Sequence, residues 1–129
     1  MKNIKSLLAL LFLSTIGFAQ SGPKIEIQQP NNTIDYGKVS KSADNGVRSV
    51  TFVNNGDAPL SITGIQTTAS FTILYKPAQP IAPGKSEKIE IKYNMVPGPI
   101  RKTITLETNA VNYEEGRVPL KIKGEVLTN

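Results

Sequence analysis

The side chains that could perform chemistry in this 129-residue chain are of few types. There are ten carboxylates, fifteen lysines and arginines and four tyrosines, with no Cys, His or Trp. That inventory excludes a zinc centre of the common Cys/His kind, cysteine nucleophiles, Ser–His–Asp triads and histidine acid–base chemistry. Disulfides, redox pairs and haem attachment are excluded with them. The acids open to catalysis are Asp35, Asp44, Asp57, Glu87, Glu90, Glu107, Glu114, Glu115 and Glu125. A glycosidase needs two of these facing each other at roughly 5 to 10 Å across a cleft, one with a raised pKa. Most of them instead fall in turn-like stretches or on alternating strand faces, where a carboxylate solubilises. Asp35 and Asp57 read as acceptors for nearby backbone N–H groups. No Asp-x-Asp-x-Asp-Gly loop gathers oxygens for calcium, and Asp44-Asn45-Gly46 reads as a turn. The expectation is no catalytic residue, no metal and no cofactor.

Binding makes smaller demands. Sugar recognition wants an aromatic platform, and Tyr36, Tyr75, Tyr93 and Tyr113 are available. Tyr93 falls on an alternating apolar face and Tyr36 sits between Asp35 and Gly37, so both read as structural. Tyr75 and Tyr113 are the candidates for exposure. Lys85, Lys88, Lys92, Arg101, Lys102, Lys121 and Lys123 are interleaved with Glu87, Glu90, Glu107 and Glu125. This reads as a solvated sheet face of mixed charge, because nucleic-acid binding needs concentrated cations with stacking aromatics or a groove-reading element. Protein recognition needs no special residue type, only a loop cluster or a free sheet edge. The candidate surface is the turn carrying Asn54, Asn55 and Asp57, the segment 67–80 with Tyr75, and Tyr113 in a loop before the last strand.

The elements that position these residues begin after an address label. Lys2 and Lys5 precede the apolar run Leu7–Ile16, which is too short to span a bilayer, and Gly17 and Ala19 supply small residues before Gln20. Residues 1–19 therefore read as a signal peptide and 20–129 as one domain, exported to the periplasm or the exterior. No Cys follows the apolar run, so no lipid anchor is expected. Removing Lys2 and Lys5 from the 15 basic residues leaves 13 against 10 acidic, a net charge of +3.

The remaining chain alternates with period two. Ile25 and Ile27, the run 34–39, Val50 with Phe52, Leu60 with Ile62, the run 71–75, Ile89 to Tyr93, Ile104 with Leu106, and Val118 to Val126 each place apolar side chains on one face. Turn chemistry separates them: the segment 54–59, Ala82-Pro83-Gly84-Lys85, Val96-Pro97-Gly98-Pro99 and Asp44-Asn45-Gly46. The pattern predicts an all-β fold, an immunoglobulin-like antiparallel β-sandwich of about seven to eight strands. Its expected core is Ile27, Val50, Phe52, Ile62, Ile89, Ile91, Ile104, Leu106, Leu120 and Ile122.

Four ordered blocks add a resemblance. They are Ile34-Asp35-Tyr36-Gly37-Lys38-Val39, Phe52 to Leu60, Pro80 to Ser86, and Pro97 to Thr105. In this order they resemble the bacterial secreted domain of unknown function numbered fifteen seventy-three, a relative of the Hydin-like and abnormal-spindle-like immunoglobulin-fold domains. The resemblance spans about Thr33 to Val126 and implies a scaffold rather than an activity. Members of that family often carry Cys-Gly-Cys-Thr where this chain has Ala69-Ser70-Phe71-Thr72, so no role of such a cysteine pair carries over, and Phe71 is expected to pack. The expectation for function is a non-enzymatic module holding another envelope protein, with glycan contact through Tyr75 or Tyr113 as the alternative.

Overall fold

The alternating segments become eight strands: β1 Ile25–Ile27, β2 Thr33–Ser40, β3 Val47–Asn54, β4 Ile62–Gln66, β5 Phe71–Tyr75, β6 Ser86–Tyr93, β7 Gly98–Thr108 and β8 Arg117–Leu127. The computed structural model describes residues 21–128, so the expected export signal at 1–19 lies outside the described residues. Two four-stranded sheets form, one in the order β1-β3-β6-β5 and the other β2-β8-β7-β4. Their inner faces close over a core that includes all ten of the expected positions, each of them buried. Phe71 and Tyr93 also turn inward, as does Tyr36.

One feature of the pairing departs from an antiparallel scheme. The chain leaves β1 in the first sheet and enters β2 in the second through a single turn at Pro30–Asn32, where Asn31 and Asn32 take φ of 55° and 52°. Asparagine tolerates that left-handed backbone better than most residues. Because this crossing changes sheet, β2 lies beside the last strand in the same direction, with Ile34 opposite Ile122 in a parallel pair. The other five pairings are antiparallel. The Val96–Pro99 breaker also ends sooner than its composition suggests, since β7 already includes Gly98 and Pro99. Proline is tolerated there, at the very start of a strand.

Opposite the end where β3 finishes, the sandwich is closed by a charged pin. Arg48 faces inward from β3, and its guanidinium lies 4.1 Å from the centroid of the Tyr36 ring on β2, in the other sheet. Its nitrogens donate to both carboxylate oxygens of Asp44 at 3.1 and 2.8 Å. The planar fork of arginine suits this two-point contact. The Tyr36 hydroxyl donates to the Gly46 carbonyl at 2.7 Å, and the rings of Tyr36, Tyr93 and Phe71 follow one another at 6.0 and 5.1 Å. Gly46 has φ of 82°, and a Cβ there would strike the Tyr93 carbonyl, so no other residue fits.

The pin fixes two titrations. Hydrogen bonds from Arg48, and then from the Gly46 N–H, hold the Asp44 carboxyl below its ordinary value. Burial pushes the Tyr36 phenol up to about 12. A depressed carboxyl pKa stabilises the fold above the unfolded value and is lost as pH falls through the folded one; a raised phenol pKa costs stability as pH climbs past the ordinary 10.0. Thermal melts across pH should therefore show wild type losing stability at the acid end, with Asp44→Asn flattening that limb. Between about pH 10 and 12 the gap between wild type and Tyr36→Phe should close, after the variant starts roughly 1 kcal/mol lower at neutral pH for its lost hydrogen bond.

Candidate interaction surface

At the other end of the sandwich the loop after β3, the turn before β6 and the loop before β8 meet the segment leading into β1. Asparagine side chains knit them. Asn54 is fully buried, the one polar residue so enclosed among the described residues. Its amide nitrogen donates to the carbonyls of Ala58 at 2.8 Å and Ile81 at 2.9 Å. Its oxygen accepts from Gly56 N at 2.9 Å and Lys24 N at 3.4 Å. Its backbone adds two more bonds, N–H to Lys85 O at 2.9 Å and O from Gly84 N at 2.7 Å. Every polar atom of the residue is thus used, which is what burial of an amide demands. Gly56 sits so close to the Gly22 carbonyl that a Cβ would overlap it.

Two further asparagines act the same way. Asn112 accepts from Ile25 N at 3.1 Å and donates to Ile25 O at 3.0 Å, imitating a strand along the outer edge of β1. Asn109 accepts from Ser61 N at 2.9 Å. The sequence marks Asn54 as a turn-former and singles out neither Asn109 nor Asn112, and nothing in the local pattern shows partners 27 to 87 positions away.

These contacts correct the candidate surface. Asn54 belongs to the interior, because the turn it opens folds back over its own side chain. Asn55 remains exposed and donates to Glu26 Oε1 at 3.1 Å. Asp57 is exposed, but its carboxylate accepts from Gly22 N at 2.7 Å, and its N–H donates to the Gly22 carbonyl at 3.1 Å. Tyr113 is only partly exposed: its ring packs on the core and its hydroxyl accepts from Asn32 Nδ2 at 3.0 Å. Tyr75 stays open, 41% exposed, beside Leu74 at 47%.

Tyr75 ends β5, an edge strand of its sheet. Edge strands carry backbone N–H and C=O groups without a neighbour on one side. Leu74 already falls on the outward face by alternation from buried Phe71, and the register shift between Ile73 and Tyr75 sets Tyr75 opposite the outward Glu90, so that it is exposed as well. Beyond the strand a groove of about 440 Å³ opens, lined by Tyr75, Pro80, Ile81 and the start of β6, with Lys76 and Lys85 also on its lining. Lys88 stands 5.9 Å from the Tyr75 ring. The groove floor is rigid, since Ile81 is buried and exchanges both backbone hydrogen bonds with Leu60 at 2.9 and 2.7 Å. The other edges are less inviting. The outer side of β1 is taken by Asn112, β2 is interrupted by a bulge between Asp35 and Lys38, and β4 exposes no large apolar side chain.

Removing the Asn54 side chain strands the Ala58 carbonyl and the Gly56 and Lys24 N–H groups and leaves the Ile81 carbonyl with Leu60 alone, so Asn54→Ala should cost roughly 3 kcal/mol. Asn55→Ala should stay within about 0.5 kcal/mol. Chemical denaturation of the two variants measures the contrast.

The chain shares its fold with several solved structures. It is similar to a Porphyromonas gingivalis W83 protein of unknown function, at 19% identity and a TM-score of 0.66, covering 83% of this chain and 48% of that one. It is also similar to the Vibrio cholerae VesB protease, at 17% identity and a TM-score of 0.56 over 81% of this chain and 32% of that one. A third similar structure is the ASH/PapD-like domain 7 of human CEP192, at 14% identity and a TM-score of 0.54, covering 82% and 87%. At such identities the likeness is one of fold, and the chain spans about half or less of the two bacterial proteins. Among curated proteins no sequence relative matches. The family model described as protein of unknown function (DUF1573) matches residues 27–126, from the end of β1 to the end of β8, and the chain belongs to that family.

Proposed function

We propose that the chain is an exported, non-enzymatic immunoglobulin-like module of the bacterial cell envelope that holds another protein by adding a strand to the β5 edge. The observation that carries this reading is the coincidence, at one edge, of unpaired backbone, exposed Leu74 and Tyr75, and a groove with a rigid floor. An added strand gains main-chain hydrogen bonds along β5, and its side chains can enter the groove beside Tyr75. Aromatic anchors of this kind dominate protein interfaces. Export rests on the charged and apolar pattern of residues 1–19. Likeness to the VesB protease is confined to about a third of that chain, and at 17% identity it brings a fold rather than catalytic residues.

A second reading is favoured by one observation. The Tyr75 ring is exposed with Lys88 beside it, an arrangement that could also stack against an envelope sugar. Tyr113 no longer supports that reading, because its hydroxyl and ring are engaged within the domain.

Affinity capture from the native envelope fraction, read by mass spectrometry, tests the proposal. A stoichiometric protein partner should be recovered with wild type and with Asn55→Ala, and recovery should fall roughly tenfold with Leu74→Lys and with Tyr75→Ala. Recovery that survives both edge variants, or no partner at all, contradicts strand addition. Retardation on polysaccharide gels lost in Tyr75→Ala and kept in Leu74→Lys supports the sugar reading instead.

A further inference from the structure

Folding sorts charges that are interleaved in the sequence. Lys85, Lys88 and Lys92 go with Glu87 and Glu90 to the sheet that holds β6, whereas Arg101, Lys102, Lys121 and Lys123 go with Glu107 and Glu125 to the other, Glu107 at its far end opposite Arg117. There the register sets Arg101 directly opposite Lys123 and Lys121 opposite Thr103, with Thr33 and Asp35 following on β2. Side chains directly opposite across a strand pair stand about 5 Å apart, and like charges so placed are destabilising. The nearest carboxylate is Asp35, 3.8 Å from Lys123. Among the described residues, Arg101 and Lys121 have no carboxylate within 4.0 Å, and Glu125 lies one step further along, opposite Pro99 and Lys38. These cations rim a trough of about 480 Å³ on the outer face, whose floor is the strand backbone at Lys102 and Ile122.

We propose that this face of the β2-β8-β7 sheet binds an anionic polysaccharide, its uronate, sulfate or phosphate groups seated between Arg101, Lys121 and Lys123. Charge complementarity carries the inference, and the make-up of the trough selects the ligand class. No exposed aromatic or large apolar side chain lines it, so it lacks the anchors around which protein interfaces form. The same lack removes the stacking platform that single-stranded nucleic acid requires. Three cations with no apolar wedge fall short of the roughly four to eight clustered basic residues that hold a lipid surface. A hydroxylated, charged chain is matched by what remains: guanidinium, two ammonium groups and the threonines at 33 and 103. The site lies on the opposite sheet from β5 and does not depend on the strand-addition reading.

Titration of the domain spanning 20–129 with polygalacturonate and dextran sulfate, beside neutral dextran, a glutamate-rich peptide and single-stranded DNA, tests this at low and high salt. Either anionic polysaccharide should bind at low salt, weaken as salt rises, and shift backbone amides of β7 and β8. The triple variant Arg101→Ala, Lys121→Ala, Lys123→Ala should weaken binding roughly tenfold or more while its thermal melt stays at or above wild type, since like-charge repulsion is relieved. The matched variant Lys24→Ala, Lys41→Ala, Lys92→Ala, whose lysines line neither the trough nor the groove beside Tyr75, should bind as wild type does. The proposal is overturned by no binding, by equal binding of neutral dextran, by equal loss in both triple variants, or by tighter binding of the peptide or DNA.

Discussion

The side chain of Asn54 meets stretches of chain that are far apart in sequence: the approach to β1 at Lys24, its own turn at Gly56 and Ala58, and the bridge at Ile81. Without it, the Lys24 and Gly56 N–H groups and the Ala58 carbonyl would be left part-buried and unpaired, each costing on the order of 1 kcal/mol or more, and the bridge at Ile81 would lose its tie to the turn. An apolar residue of the same size would fill the space and satisfy none of them. The rest of the end follows from this constraint. Gly56 must lack a Cβ to pass the Gly22 carbonyl, Ile81 is drawn inward beside Leu60, and the turn at Ala82–Lys85 is held by the Asn54 backbone.

The opposite end solves the same problem with charge. An inward-facing arginine is tolerated because Asp44 takes its fork and the Tyr36 ring covers its face. Between these two ends lies an apolar layer made by strict alternation, with Val50, Phe52, Ile89 and Ile91 of one sheet against Ile104, Leu106, Leu120 and Ile122 of the other. The edges differ in consequence. Where asparagines are available the outer backbone is covered, as at β1, and where they are not, as at β5, it stays open.

That division explains what could be read from the residues alone. Period-two alternation gave the core directly, because burial on one face of a strand leaves its mark on every second residue. Turns at Asp44-Asn45-Gly46 and Ala82–Lys85 were equally local, closed by bonds spanning two or three residues. Asn54 was not legible as interior. Asn-Asn-Gly reads as an exposed turn, and only the fold shows Ile81 and Lys24 converging on it. Tyr113 was misread for the same reason, its partner Asn32 lying 81 positions away. Tyr75 kept its expected exposure because it ends an edge strand. The grouping of Arg101, Lys121 and Lys123 is not local, because only the register of β7 against β8 sets Arg101 opposite Lys123.

Hydrogen exchange resolved to single amides tests most directly the claim that a rigid, asparagine-knitted end sits beside an open edge. The N–H groups of Asn54, Gly56 and Gly84, bonded to Lys85 O, Asn54 Oδ1 and Asn54 O, should exchange only through global unfolding, alongside the central strands β3 and β6. The outward-facing amides of β5 should exchange orders of magnitude faster under the same conditions. Equal, fast exchange of Gly56, Gly84 and the β5 edge would show that Asn54 fastens nothing and would contradict the account.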